Sequence, residues 1–184
     1  MRIIAGKFKG RILNDFTHEG TRPTSDKARG GIFNTLVYEN EGGVFLDLFG
    51  GSGAMGIEAE SRGAKKVYII DNNPLAVKNI NDNIKKCGAI ITHAIKNDYK
   101  DALRYFKKNN ITFDIIFIDP PYKENFAGEA VKLIMDYNLL SEDGVICYEH
   151  NKDNFVNDDR IELVKQKRYG IAEVSYYVKK DLQG

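Results

Sequence analysis

The sequence predicts an α/β protein built on a doubly wound, mostly parallel sheet, and three observations carry that expectation. From Gly43 onward, short β-rich runs alternate with helix-periodic segments, as strands and crossover helices do in a parallel sheet. The run FDIIFID, ending at Asp119, is almost wholly apolar, as in a central strand covered on both faces. After Asp159, two β-rich stretches joined through Gly170 read as an antiparallel edge hairpin.

In chain order, RIIAGKFKGRIL predicts a small N-terminal β-hairpin, followed by a helix from about Ser25 to Tyr38. Gly30 and Gly31 lie inside that helix, where each costs about 1 kcal/mol relative to Ala. Strands are expected at Val44 to Phe49, Lys66 to Asp71, Ile91 to Lys96, Phe113 to Asp119 and Gly144 to Glu149. The edge hairpin is assigned to Ile161 to Tyr169 and Val174 to Lys179. Val77, Ile80 and Ile84 recur at helical spacing between an Asn73-Pro74 start and a stop at Gly88. Tyr99, Ala102, Leu103 and Phe106 make a second stripe, and Phe126, Ala130, Leu133, Ile134 and Tyr137 a third. At about 150 residues per domain, 184 residues hold one domain over 43–184 and a small extension over 1–42.

With 42% hydrophobic and 29% charged residues, 17 Gly and 4 Pro, the composition excludes disordered, collagen-like and coiled-coil chains. No apolar run approaches the roughly 20 residues of a membrane helix, and MRIIAGKFKG lacks a signal-peptide h-region; a cytoplasmic protein is expected. Cys87 and Cys147 read as reduced packing thiols. His18, His93 and His150 have no zinc-site spacing, so no metal is expected. Residues 1–31 carry seven of the 27 Lys and Arg against three of the 26 Asp and Glu, which makes the front of the chain its basic end. Arg2, Lys7, Lys9 and Arg11 crowd the predicted hairpin and, with Arg29, form the candidate RNA-facing set.

The segment LDLFGGSGAMG follows the first strand and opens a helix, with Gly51, Gly53 and Gly56 in a G-x-G-x-x-G pattern. Asp71 ends the next strand 20 residues after Gly51, where a carboxylate can accept from ribose hydroxyls. Such a loop suits either a nicotinamide or flavin dinucleotide or S-adenosylmethionine. Asp47, inside the first strand, has no standing role in a dinucleotide fingerprint and could orient the loop or meet a methionine ammonium. Asp98 reads equally as an acceptor for an adenine amino group or as a helix N-cap.

Asp119, Pro120, Pro121 and Tyr122 end the most apolar strand, at the carboxyl edge where open α/β sheets bind ligands. An exocyclic base amine is a poor nucleophile because its lone pair is delocalised into the ring. Asp119 and the Pro120 carbonyl can accept hydrogen bonds from its two N–H groups, while the prolines remove their own donors. Tyr122 offers a face on which a flipped base stacks, worth about 1–3 kcal/mol. Catalysis would then rest on positioning the amine in line with the methyl group and the leaving sulfur.

These residues resemble a class I S-adenosylmethionine-dependent methyltransferase of the amino-methylating group, with its Rossmann-like methyltransferase sheet. More narrowly, RIIAGKFKGRIL, RPTSDKARGGIFNTL, LDLFGGSGAMGIEAESRGA, IDPPY and the Tyr169-Gly170 hairpin resemble the RsmD family of bacterial 16S rRNA guanine-N2 methyltransferases, over almost the whole chain. The resemblance implies S-adenosylmethionine as cofactor, S-adenosylhomocysteine as product, and 16S rRNA in the small subunit or an assembly intermediate as partner. It implies that Gly50, Gly51, Ser52 and Gly53 contact the methionine part, that Asp71 holds the ribose, and that Asp98 and Tyr99 frame the adenine. Phe49 and Asn72, flanking these positions, complete the cofactor set with Asp47. Arg22, Thr24 and Arg29 fall in the segment that closes over cofactor and base in such enzymes. A monomer is expected, with no membrane partner.

Rival readings fit fewer of these residues. A nicotinamide oxidoreductase leaves Asp119-Pro-Pro-Tyr unexplained, and a protein-glutamine methylase usually has Asn where this chain has Asp119. A DNA adenine methylase would usually need a target-reading module, for which the chain has no room, whereas structured RNA selects by its own shape. A non-enzymatic RNA-binding module rests on the basic front end alone.

Overall fold

The structure is a computed structural model that describes residues 1–17, 23–121, 125–152 and 154–181. The apolar runs become strands β1 (Val44–Asp47), β2 (Lys66–Asp71), β3 (Thr92–Lys96), β4 (Phe113–Ile118), β5 (Leu140–His150), β6 (Ile161–Tyr169) and β7 (Ala172–Lys179). The periodic segments become helices α1 (Asp26–Thr35), α2 (Val37–Asn40), α3 (Ala54–Ser61), α4 (Pro74–Cys87), α5 (Tyr99–Lys108) and α6 (Phe126–Asp136). All seven strands join one sheet in the order β3-β2-β1-β4-β5-β7-β6, parallel from β3 through β5 and antiparallel at β7 and β6. This is the α/β methyltransferase fold, with the expected reversed edge hairpin.

Local chemistry accounts for the helix ends. In α4 the Asn73 side chain accepts from Leu75 N–H, Pro74 takes the first turn, and Gly88 closes the helix at φ +62°. Asp98 caps α5 by accepting from Lys100 N–H. Burial then anchors the sheet: Ile115, Ile116, Phe117 and Ile118 of β4 are at most 2% exposed, and each such side chain contributes about 1.5–3 kcal/mol. Phe106, Phe113, Ile116, Ile134 and Ile146 fill the face under α5 and α6. Phe33, Phe45, Ile69, Ile80 and Phe117 fill the opposite face, under α1, α3 and α4.

Several boundaries differ from expectation. The expected N-terminal hairpin is present in reduced form, as two short antiparallel arms with one isolated bridge, Arg2 to Ile12, and backbone bonds from Ile3 N–H to Arg11, Gly10 N–H to Ile3 and Leu13 N–H to Met1. Ile4 and Ala5 give their N–H groups to the Glu58 carboxylate in α3, so that stretch is bonded to a helix and not to a partner strand. The expected single helix to Tyr38 breaks at Leu36, whose buried side chain is drawn into the core. β1 stops at Asp47 and β5 begins four residues early at Leu140. Packing requires Gly31, where a Cβ would lie 2.2 Å from the Tyr169 ring, whereas one on Gly30 would make only an ordinary contact with Ile4 at 3.6 Å. Both mark places where other segments lie against α1.

No helix among the described residues is long and apolar enough to cross a membrane. Cys87 and Cys147 are buried and free. His150 is buried and bonded to Ser175 Oγ at 2.7 Å, a packing role. His18 lies outside the described residues.

Candidate active site

β1 and β4 are neighbours in the sheet but not consecutive in the chain, so the strand order reverses between them and a crevice opens at their carboxyl ends. A cleft of about 270 Å³ occupies it, lined from β1 by Asp47, from the glycine loop by Gly50 to Ser52, and from β4 by Asp119, Pro120 and Pro121. Thr24, Phe49, Asp71, Asn72, Asp98 and Tyr99 also line it. Gly53 does not line the cleft but caps α3 at φ +80°, a conformation that favours glycine. Residues separated by almost a hundred positions are thus brought together. Arg22 and Tyr122, expected over the cofactor and the base, lie outside the described residues.

The glycine loop is strapped to the end of β2. Gly50 N–H donates to the Ile70 carbonyl at 2.7 Å and Gly51 N–H to Asp71 Oδ2 at 2.9 Å. Asp71 Oδ1 accepts from Asn73 N–H at 2.9 Å. Each carboxylate oxygen offers about two acceptor sites, so Asp71 holds the loop and keeps capacity for ribose hydroxyls. Asn83, fully buried on α4, donates to the Ser52 carbonyl and to the Asn14 carbonyl, both at 3.0 Å. That single side chain ties the N-terminal segment to the loop.

Three carboxylates gather on one face of the sheet. Asp47 is 1% exposed, and its Oδ1 has no hydrogen-bond partner among the described residues. Burial pushes its carboxyl well above the usual aspartate range, Asp71 adds to the rise, and a bond from Phe49 N–H opposes it. Burial also raises Asp119 well above its usual value, with Glu149 and then Asp47 adding repulsion. Glu149, near the end of β5, is 5% exposed and accepts from Thr24 Oγ1 at 2.7 Å. An orphaned, buried acceptor in the cleft fits the ammonium of a methionine moiety. The same acids would repel the pyrophosphate of a dinucleotide.

Aromatic rings line the other end of the cleft. Phe49, Tyr99 and Phe126 lie with centroids 5.4 to 6.3 Å apart, and Tyr99 Oη donates to Glu129 at 2.7 Å. Such a cluster fits an adenine ring. Asp98 lines the cleft while also acting as the α5 N-cap, so its two readings coexist.

Placement corrects one expectation outright. Arg29, grouped with the RNA-facing cations, is fully buried. Its Nε pairs with Glu58 Oε2 at 3.3 Å, and its Nη2 bonds Asp26 at 2.9 Å and the Arg2 carbonyl at 2.5 Å. A guanidinium so enclosed reaches no phosphate; it links α1, α3 and the N-terminal segment. Arg2, Lys7, Lys9 and Arg11 are exposed, although Lys7 pairs with Glu60 at 3.0 Å and Arg11 bonds the Cys87 carbonyl. Sequence reasoning missed Phe16, Phe126, Asn83 and Glu149 as site residues. Glu149 had a usable signal, an acid ending the strand beside Asp119.

Comparison with known proteins identifies the family. The family model described as "Conserved hypothetical protein 95" matches residues 1–178. YlbH of Bacillus subtilis, provisionally an rRNA methyltransferase, is 38% identical over 98% of this chain and 100% of its own length. The ribosomal RNA small subunit methyltransferase D of Haemophilus influenzae is 34% identical over 96% of this chain and 93% of its own. Among solved structures, the provisional methylase HI0767 of Haemophilus influenzae superposes with a TM-score of 0.78 at 30% identity, covering 98% of this chain and 99% of its own. A likeness in fold alone, with TM-score 0.72 and 16% identity, extends to a methyltransferase-class protein, SMU.776, solved with S-adenosylhomocysteine; it covers 90% of this chain and 53% of that one. With its sheet, its glycine loop and its Asp-Pro-Pro segment at the strand-order reversal, the chain belongs to the family described as Conserved hypothetical protein 95, the RsmD methyltransferase family.

Proposed function

We propose that the protein transfers a methyl group from S-adenosylmethionine to the exocyclic N2 amine of a guanine in small-subunit rRNA. In this reading residues 1–42 cap the cofactor and RNA region and residues 43–184 form the transferase domain. It acts in the cytoplasm as a monomer, on the small subunit or an assembly intermediate. The observation that carries the chemistry is the group of acids around the end of β4, Asp47 and Glu149 buried and Asp119 half-buried beside them.

The bound cofactor supplies an electrophilic methyl group on a cationic sulfur. Asp47 receives the ammonium of its methionine part, Asp71 the ribose hydroxyls, and Phe49, Tyr99 and Phe126 the adenine. Gly50, Gly51 and Ser52 would flank the methionine carboxylate beside the N-terminus of α3, whose dipole favours an anion, while the Gly50 and Gly51 N–H groups stay on the Ile70 carbonyl and Asp71. Asp119 accepts one N–H of the target amine and the Pro120 carbonyl the other, which orients the nitrogen toward the methyl group. As the amine becomes cationic, the negative potential that Glu149 and Asp47 add to the burial effect at Asp119 becomes stabilising. The support for rRNA comes from the named relatives, and the guanine-N2 assignment follows from membership of the RsmD family.

The test is incubation with methyl-labelled S-adenosylmethionine and either small subunits or bare small-subunit rRNA, followed by digestion to nucleosides. Label in N2-methylguanosine is expected. Label in an adenosine, or only in protein, would replace this substrate assignment.

A further inference from the structure

Guanine presents two adjacent donors, N1–H and the N2 amine, where adenine presents a lone pair at N1. An enzyme that acts on the N2 amine therefore gains selectivity from a second acceptor placed beside the first. Such a pair of acceptors exists at this site. In the β4–β5 ladder Phe117 stands opposite Cys147 and Ile118 opposite Tyr148, so Asp119 and Glu149 follow at the next step of the two strands. Alternation along the strands puts both carboxylates on the face of Phe117 and Cys147. Neighbouring strands lie about 4.8 Å apart, a separation that two acceptors on adjoining atoms of one base edge can span. Their mutual repulsion is felt at Asp119.

Glu149 does not line the cofactor cleft itself but the wall of a second, smaller cavity of about 160 Å³ beside it. Pro23 lines both this cavity and the cofactor cleft, and Thr24 lines the cleft while bonding Glu149. Lys27, Asn151, Tyr169 and the exposed Ile171 complete its rim with groups suited to a nucleotide. The Thr24 hydroxyl holds one carboxylate oxygen, which fixes the side chain's rotamer, and a carboxylate accepts up to about four hydrogen bonds in all. Glu149 is thus a buried, oriented acid between the cleft and a second cavity.

We infer that Glu149 is a specificity-determining residue that accepts the N1–H of the target guanine while Asp119 accepts from its N2 amine. The inference rests on the guanine-N2 reading above. A carboxylate at this position attracts guanine and repels the N1 lone pair of adenine-like bases. Sites that hydrogen-bond a substrate donor discriminate strongly against analogues that lack it, because a buried polar group is left unpaired.

The test uses reconstituted small subunits whose rRNA carries guanine, 2-aminopurine or 2,6-diaminopurine at the methylated position. Both analogues keep the 2-amine and replace N1–H with a lone pair, and they differ from each other at position 6. Single-turnover methylation of both analogues by the wild-type protein should be at least about tenfold slower than that of guanine. If either analogue reacts at nearly the guanine rate, the inference falls without any variant. In Glu149→Gln the side-chain amide can turn its N–H₂ toward an N1 lone pair, so the guanine-to-analogue ratio should drop about tenfold or more. Effects of position 6 are common to both proteins and cancel in that comparison. A variant that slows all three substrates equally would show that Glu149 only anchors Thr24. Failure of the wild type to methylate guanine would instead remove the guanine-N2 reading, and the inference with it.

Discussion

Asp47 and Asp119 are placed where their own ionisation is disfavoured, and that opposition is what the chemistry uses. Asp119→Ala should cut single-turnover methyl transfer by about 100-fold or more, with cofactor affinity close to wild type, because Asp119 faces the amine and not the adenosine. Near-normal transfer would make the Asp-Pro-Pro segment a structural turn. Asp47→Asn should behave in the opposite sense. It removes a buried carboxyl with an orphaned oxygen, so the cofactor-free protein should melt higher while calorimetric titration shows weaker S-adenosylmethionine binding. A lower melting temperature would count against this account.

The same acids set a pH dependence. Asp119 must be a carboxylate to accept from the amine, and its value is raised, so activity should climb with pH along a limb lying above the ordinary aspartate range. Glu149→Gln removes the nearest repulsive charge and should move that limb to lower pH. Stability runs the other way. Between the unfolded value and the raised folded values of Asp47 and Asp119, the native state binds more protons than the unfolded chain. The contribution of these groups to stability therefore declines as pH rises through that window. Melting scans of wild type and Asp47→Asn across pH should converge at the acid end and diverge above it.

Among the elements, α3 does two jobs from its two ends. Its N-terminus meets the glycine loop, while Glu58 and Glu60 hold the flanking segments with eight hydrogen bonds. Glu58 binds Ile4 N–H, Ala5 N–H, Arg29 and Arg62; Glu60 binds Lys7, Ile90 N–H, Ile91 N–H and Thr92. Glu58→Ala removes the buried partner of Arg29, leaving only the exposed Asp26, and should destabilise the protein by about 3 kcal/mol in denaturant unfolding. A loss below 1 kcal/mol would show that the hub adds little. The helices themselves were legible where local chemistry suffices: the Asn73-Pro74 start and Gly88 stop predicted α4 residue for residue. The anchoring of the N-terminal hairpin on α3 and the role of Arg29 were not legible, because both depend on a carboxylate more than fifty or about thirty positions away.

At the scale of the whole molecule, Lys7 and Arg11 lie away from the cleft, whereas Arg2 follows Met1, which lines it. Lys7 N–H bonds the Ser61 carbonyl at the far end of α3, and Arg11 bonds the Cys87 carbonyl at the far end of α4. Those helices have 8 and 14 residues, which at 1.5 Å per residue puts these cations roughly 12 and 21 Å from the cleft edge. RNA that feeds a base to Asp119 would have to run along this face to meet them. Replacing Arg2, Lys9 and Arg11 with Ala should lower the log–log salt slope of RNA binding by about 2 to 3 units and leave cofactor binding unchanged. An unaltered slope would show that this loop is a solvated face.

The one-dimensional pattern was enough for the strand order of events along the chain, the glycine loop, Asp71 and the Asp-Pro-Pro segment, because periodicity, caps and turn chemistry are local and the motifs are contiguous. It could also place Asp47 in a strand before the loop, though not say what its carboxylate met. Folding alone put Asp47, Asp119 and Glu149 on one sheet face, turned Arg29 inward and set Thr24 on Glu149. Those outcomes depend on which strands become neighbours and in what register, and burial gives a charge its chemical character only after distant segments have closed around it.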